Sequence, residues 1–124
     1  MTFFAHAYII LSMIVKENLF QYNKACDTTE TKRFFWNAAG EVATVLFRNE
    51  SVRIEKIVSY GEGTDIYDQA ENEWVSVIEG ESTLMINDEV VELKKGDSCF
   101  IPAHRPHKVL KTSNPCIWLC FFFK

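Results

Sequence analysis

Beyond residue 40 the chain reads as short β-rich runs separated by turn residues, and the alternation of apolar and polar positions predicts each strand. Val42 to Phe47 is apolar and β-branched, and Arg48-Asn49-Glu50-Ser51 makes a turn after it. Val52 to Tyr60 alternates, with Val52, Ile54, Lys56 and Val58 on one mostly apolar face and Arg53, Glu55, Ile57 and Ser59 on the other. Gly61-Glu62-Gly63 breaks that strand. Glu73 to Glu79 is stopped by Gly80, a residue that takes positive φ cheaply. Ser82 to Ile86 and Glu89 to Leu93 flank Asn87-Asp88, a two-residue connection suited to a type I′ hairpin. With that loop, Leu84 faces Val91 and Met85 faces Val90. Lys94-Lys95-Gly96-Asp97 forms the next turn, and Ser98 to Ile101 runs up to Pro102, which cannot donate to a ladder.

A further strand opens at His107 and reaches Leu110, and Cys116 to Phe123 is nearly all apolar. A strand that hydrophobic is expected to be buried on both faces, in a sandwich or in a dimer contact. The helical signal is short: Asp27 to Glu30 has capping-box spacing, and Glu30 to Ala39 is expected to form a short helix ended by Gly40. About eight or nine strands with one N-terminal helix make an all-β domain, with the number of strands that a jelly roll needs.

At 124 residues the chain is long enough for one core without staples. Thirteen Lys and Arg against seventeen Asp and Glu leave a net charge of −4, with no basic stripe, so nucleic acid is not an expected partner. Cys26, Cys99, Cys116 and Cys120 have no C-x2-C spacing. Three of them lie in or beside apolar runs, where a free thiol acts as a small buried hydrophobe. Cys116 and Cys120 share a face of one strand but stand too far apart along it to bridge. Free thiols fit a reducing cytoplasm.

Residues 1–12 (MTFFAHAYIILS) are apolar and lack a Lys or Arg ahead of the hydrophobic run. They fit neither a signal peptide nor a spanning helix, so no membrane is expected as a partner. They are expected to be an extended start, or an arm that packs on a neighbouring subunit, with a cleaved export signal as the alternative. Residues 13–124 then form the single domain.

Polar residues gather around the central strands: Tyr67, Gln69, Glu73, His104 and His107 are dense enough to mark a small-molecule site. Tyr67, Gln69, Glu73, Val75 and Val77 share parity, so a strand continuing through them would point all five to one side. Trp74 has the opposite parity and is expected outside the cavity. Asp68, Glu71 and Asn72 read as a solvated loop tip; turned inward, they would set a second carboxylate beside Glu73. Arg105 and Lys108 sit where a mouth would be.

Gly63 to His107 also resembles the two motifs of the cupin superfamily. The first, G-x5-H-x-H-x3-E-x6-G, can be laid on Gly63, Gln69, Glu73 and Gly80, and its two histidine places fall on Tyr67 and Gln69. The second, G-x5-P-x-G-x2-H-x3-N, falls on Gly96, Pro102, His107 and Lys111, with His104 at the second glycine. The resemblance spans the chain from about Val52 onward. It implies a double-stranded β-helix (jelly-roll) barrel and, in small members, a homodimer. It also implies a divalent metal ion held by three imidazoles and one carboxylate, of which only Glu73 and His107 stand in this chain.

Three readings of the site follow. A metal (Fe, Mn, Zn or Ni) is held by Gln69, Glu73 and His107, helped by Tyr67 or water. Alternatively His104 turns inward and joins His107 and Glu73 in a two-histidine, one-carboxylate set suited to Fe(II). In the third reading no metal binds, and the inward polar residues hold a small polar molecule or one another. Two functions correspond: a small-molecule-binding cupin with an eroded metal site, or a metal-dependent dioxygenase or isomerase acting on a small oxygen-rich substrate.

Overall fold

The computed structural model describes residues 16–22, 34–36 and 40–124, with the backbone alone for 34–36. Nine strands follow in chain order: β1 (Phe34–Trp36), β2 (Val42–Arg48), β3 (Val52–Ser59), β4 (Asn72–Glu79), β5 (Glu81–Ile86), β6 (Glu89–Lys94), β7 (Ser98–Ile101), β8 (His107–Thr112) and β9 (Cys116–Phe123). They form a six-stranded sheet in the order β1-β2-β3-β9-β4-β7 and a three-stranded sheet in the order β6-β5-β8. The expected helix over Glu30–Ala39 is corrected where the structure describes it. Phe34–Trp36 is a strand paired with β2, in keeping with the β preference of consecutive aromatic residues. The rest of that stretch, the 1–12 extension and Cys26 lie outside the described residues.

Turn chemistry sets the register of the small sheet. Asn87 adopts φ 53, as a two-residue hairpin loop requires, and Leu84 pairs with Val91 and Met85 with Val90. The core lies between the sheets. Val75 and Val77 of β4, Ile101 of β7, and Trp118, Cys120 and Phe122 of β9 pack against Leu84, Leu93 and Val109 of the small sheet. Each such buried aliphatic or aromatic side chain contributes about 1.5–3 kcal/mol by leaving water.

β9 runs up the middle of the large sheet, paired with β3 on one side and β4 on the other. Its Cys116, Trp118, Cys120 and Phe122 face the core, as the shared face of the two cysteines implies, while Phe121 and Phe123 face outward. Trp74 is outside as expected, edge-on to Phe121. The three described cysteines are free: Cys116 and Cys120 buried, Cys99 partly so. Burial pushes the Cys116 thiol up to about 12 and the Cys120 thiol well above its ordinary value, so both are inert.

Candidate functional site

The loop between β3 and β4 brings the polar residues to the core. Gly63 lets it lie flat against β8, since a Cβ there would come within 2.7 Å of the Val109 and Leu110 carbonyl oxygens. Thr64 N–H donates to Val109 O, and Tyr67 and His107 exchange both backbone bonds at 2.7 and 3.0 Å. This two-residue bridge, and not an extension of β4, orients Tyr67. β4 starts only at Asn72, so the shared-parity argument fails for Tyr67 and Gln69. The convergence it was meant to explain nonetheless holds.

Glu73, second residue of β4, and His107, first residue of β8, meet across the two sheets with His107 Nε2 3.5 Å from Glu73 Oε1. The His107 and Glu73 side chains are 7 % and 10 % exposed. Gln69 Nε2 donates to the same Glu73 oxygen at 3.1 Å, an orientation fixed because a carboxylate can only accept. His107 Nδ1 lies 2.9 Å from the Arg105 carbonyl oxygen, so that nitrogen carries the proton, and Nε2 can meet Glu73 favourably only as imidazolium. Burial pulls the His107 pKa down, but the Glu73 carboxylate and the Arg105 carbonyl outweigh it and the net shift is upward. The Tyr67 phenol, largely through burial and also through nearby carboxylates, is pushed up to about 12 and stays protonated.

These four residues line one side of a cavity of about 230 Å³ whose other walls include Val75, Leu84, Ile101, Val109, Trp118 and Phe122. Pockets for drug-sized ligands run to about 300–1,000 Å³, so this one suits a smaller molecule. His104 is not part of that wall. Its side chain is 72 % exposed and faces Asp68 at 3.4 Å, so the inward two-histidine arrangement is not formed. Its backbone explains its place: φ is 59, the left-handed conformation of the glycine it replaces. Asn72 and Glu71 also stay off the Glu73 carboxylate. Asn72 Oδ1 accepts from Ala103 N–H, and Glu71 pairs with Arg53.

Arg53 and Glu55 are the residues that pattern reading missed. Both line the cavity, because the inner face of β3 is Arg53, Glu55 and Ile57, while the more apolar Ile54–Lys56–Val58 set lies outside. Lys56 is buried there, its ammonium donating to the Asn18 and Gln21 carbonyl oxygens. The Arg53 guanidinium lies 4.3 Å over the Phe122 ring, gives its Nε–H to Glu55 at 2.5 Å, and grips Glu71 with both terminal nitrogens at 3.0 and 3.1 Å. Burial raises the Glu55 pKa by more than Arg53 lowers it, whereas the more exposed Arg53, despite its own burial, is held charged by its two carboxylates. The alternation along β3 contained the signal; what it lacked was the side on which the core lay.

A cupin-domain family model matches residues 53–122, more than half of the chain and both sheets of the barrel. The chain belongs to the cupin family. Solved structures similar to this cupin include a Ralstonia eutropha JMP134 protein provisionally named a mannose-6-phosphate isomerase. It is 25 % identical with a TM-score of 0.71, the match covering 90 % of this chain and 99 % of that one. An RmlC-like cupin from Shewanella frigidimarina NCIMB 400 is 21 % identical at a TM-score of 0.66, over 83 % and 90 % of the two chains. A Streptococcus pyogenes protein of unknown function is 16 % identical at 0.61, over 90 % and 96 %. No functionally curated protein matches the sequence. The two less similar structures speak to fold alone. Among the described residues of the cupin no helix is long and apolar enough to cross a membrane.

The donor set of this cupin does not fit a resident Fe, Ni, Cu or Zn ion. Among the described residues no three His, Cys, Asp or Glu side chains converge as such a site needs. One imidazole and one carboxylate face each other, and Gln69 turns its N–H2 toward the carboxylate. Tyr67 is neutral. Fe, Ni, Cu and Zn sites favour several nitrogen or sulfur donors, and one imidazole beside one carboxylate is too few.

Proposed function

We propose that this cupin binds a small molecule in its barrel cavity and does so without a resident metal ion. The observation that carries the reading is the meeting of Gln69, Glu73 and His107 beside Tyr67, buried polar groups facing a space that apolar side chains otherwise enclose. Buried polar groups are normally hydrogen-bonded, and an incompletely bonded set beside a cavity is suited to orienting a ligand. The first two readings both required a third strong donor. Gln69 serves the carboxylate, and His104 stands at the rim.

Elemental analysis of full-length protein purified without chelator or nickel resin tests the metal half of the reading. Iron, manganese, zinc and nickel are expected far below one per chain, with no thermal stabilisation on adding any of them. Near-stoichiometric metal that disappears in Glu73→Gln/His107→Ala would overturn the reading in favour of a metal-dependent enzyme.

A further inference from the structure

The cavity wall contains more unanswered hydrogen-bond acceptors than donors, and that imbalance selects among ligands. Glu73 receives Gln69 and His107 on Oε1 alone, so Oε2 has no partner among the described residues. Gln69 commits one of its two amide N–H groups and leaves Oε1 open, and Glu55 takes Arg53 on Oε2 and leaves Oε1 open. All three residues line the cavity, and none of these oxygens is sealed from solvent space without a partner. The Tyr67 hydroxyl, without a partner among the described residues, adds one group able to give and to accept.

The cationic groups, by contrast, already have their charges met. Arg53 gives its Nε–H to Glu55 and one N–H from each terminal nitrogen to Glu71, so its charge is already met by two carboxylates although two of its five N–H groups stay open. His107 has one ring nitrogen on the Arg105 carbonyl and the other on Glu73. An incoming phosphate or carboxylate would bring acceptors to a wall that already has them in excess. It would also set a negative charge beside Glu55 and Glu73, whose side chains are nearly buried, where solvent screens little. A hydroxyl or an ammonium brings the missing donors.

Building on the binding reading above, we infer that the ligand is a small hydrogen-bond donor without negative charge, a polyol or an amine. Sugar phosphates and hydroxy acids of the same size are excluded. The Ralstonia protein's name refers to a sugar phosphate; on this inference a sugar phosphate is not a ligand of the present barrel.

A charge-matched panel tests this on the full chain. Erythritol and mannose are the uncharged polyols, serinol and mannosamine the amines, and glycerate and mannose 6-phosphate the anions. The readout is the indole N–H resonance of Trp118, a cavity residue whose Nε1 donates to Ser59, together with thermal stabilisation. Polyols or amines should move that resonance in a saturable way, and the anions should leave it in place. Which of the first two groups binds more tightly identifies the donor. Glu73→Gln, which replaces an acceptor pair with a mixed amide, should weaken the favoured group by about tenfold. An anion that binds in the cavity more tightly than its uncharged parent overturns the inference and leaves the binding reading standing. A panel in which no member of any charge moves Trp118 would overturn the binding reading itself, and the inference with it.

Discussion

Two charged clusters face the same cavity and are built differently. Glu73 and His107 link the two sheets, and both side chains are at least nine-tenths buried. Arg53, Glu55 and Glu71 stay within the large sheet and its adjoining loop, and Arg53 and Glu71 remain 25 % and 27 % exposed. A buried pair offsets its desolvation only while both partners are present, whereas an exposed pair is screened and contributes little. The first cluster therefore joins the halves of the barrel at an energetic risk. The second closes one side of the cavity, and its risk is confined to Glu55, since Arg53 and Glu71 keep contact with solvent.

The largest expected effect breaks the first cluster. His107→Ala leaves the Glu73 carboxylate with Gln69 and cavity solvent alone, and should destabilise the fold by about 3 kcal/mol in urea unfolding at neutral pH. Adding Glu73→Leu to that variant should recover much of the loss, since an apolar pair has no charge to desolvate. A cost near that of an exposed pair, below about 1 kcal/mol, would show that the two clusters do not differ as described.

An intermediate effect is expected at Arg53. Arg53→Met keeps an unbranched side chain over Phe122 but removes the partner of the buried Glu55, and should cost about 1–2 kcal/mol after allowance for its exposure. Glu71→Gln, at the outer end of the same guanidinium, should cost about 0.5 kcal/mol or less. Equal losses from the two substitutions would mean that Glu55 draws no more on Arg53 than the solvent-facing Glu71 does.

The contrast also separates what the sequence made legible from what it did not. The strands from β2 to β9 follow from alternation and turn residues, because Asn87-Asp88, Gly80 and Pro102 leave the backbone few choices. Gln69, Glu73 and His107 were legible as a group through motif spacing, although Tyr67 and Gln69 reach the cavity from a bridged loop and not from β4. Arg53 and Glu55 were not legible. Period-two alternation tells which side chains share a face and is silent on which face is inside. The usual tie-breaker, that the apolar face is the inner one, fails in a sheet whose outer side carries Ile54, Leu119, Phe121 and Phe123. A buried lysine bonded to backbone carbonyls, as Lys56 is, cannot be distinguished from a solvated one by sequence.

The smallest expected effect is one of slope with pH, and it sharpens the comparison because both clusters act in the same direction over different ranges. The folded His107 pKa lies above its ordinary 6.5, so its pairing stabilises fully below about pH 6.5 and is lost as pH rises through the folded value. The folded Glu55 pKa lies above its ordinary 4.5, chiefly through burial, so its contribution is full below about pH 4.5 and is lost as pH climbs through its own folded value. Stability measured by urea unfolding should therefore decline in two steps attributable to these groups. Glu55→Gln should flatten the more acidic step and leave the other in place. His107→Gln, which cannot take a proton, should flatten the step that begins above about pH 6.5. If His107→Gln leaves that slope unchanged, the imidazole is not charged against Glu73 in the folded protein, and no ion pair joins the two sheets there.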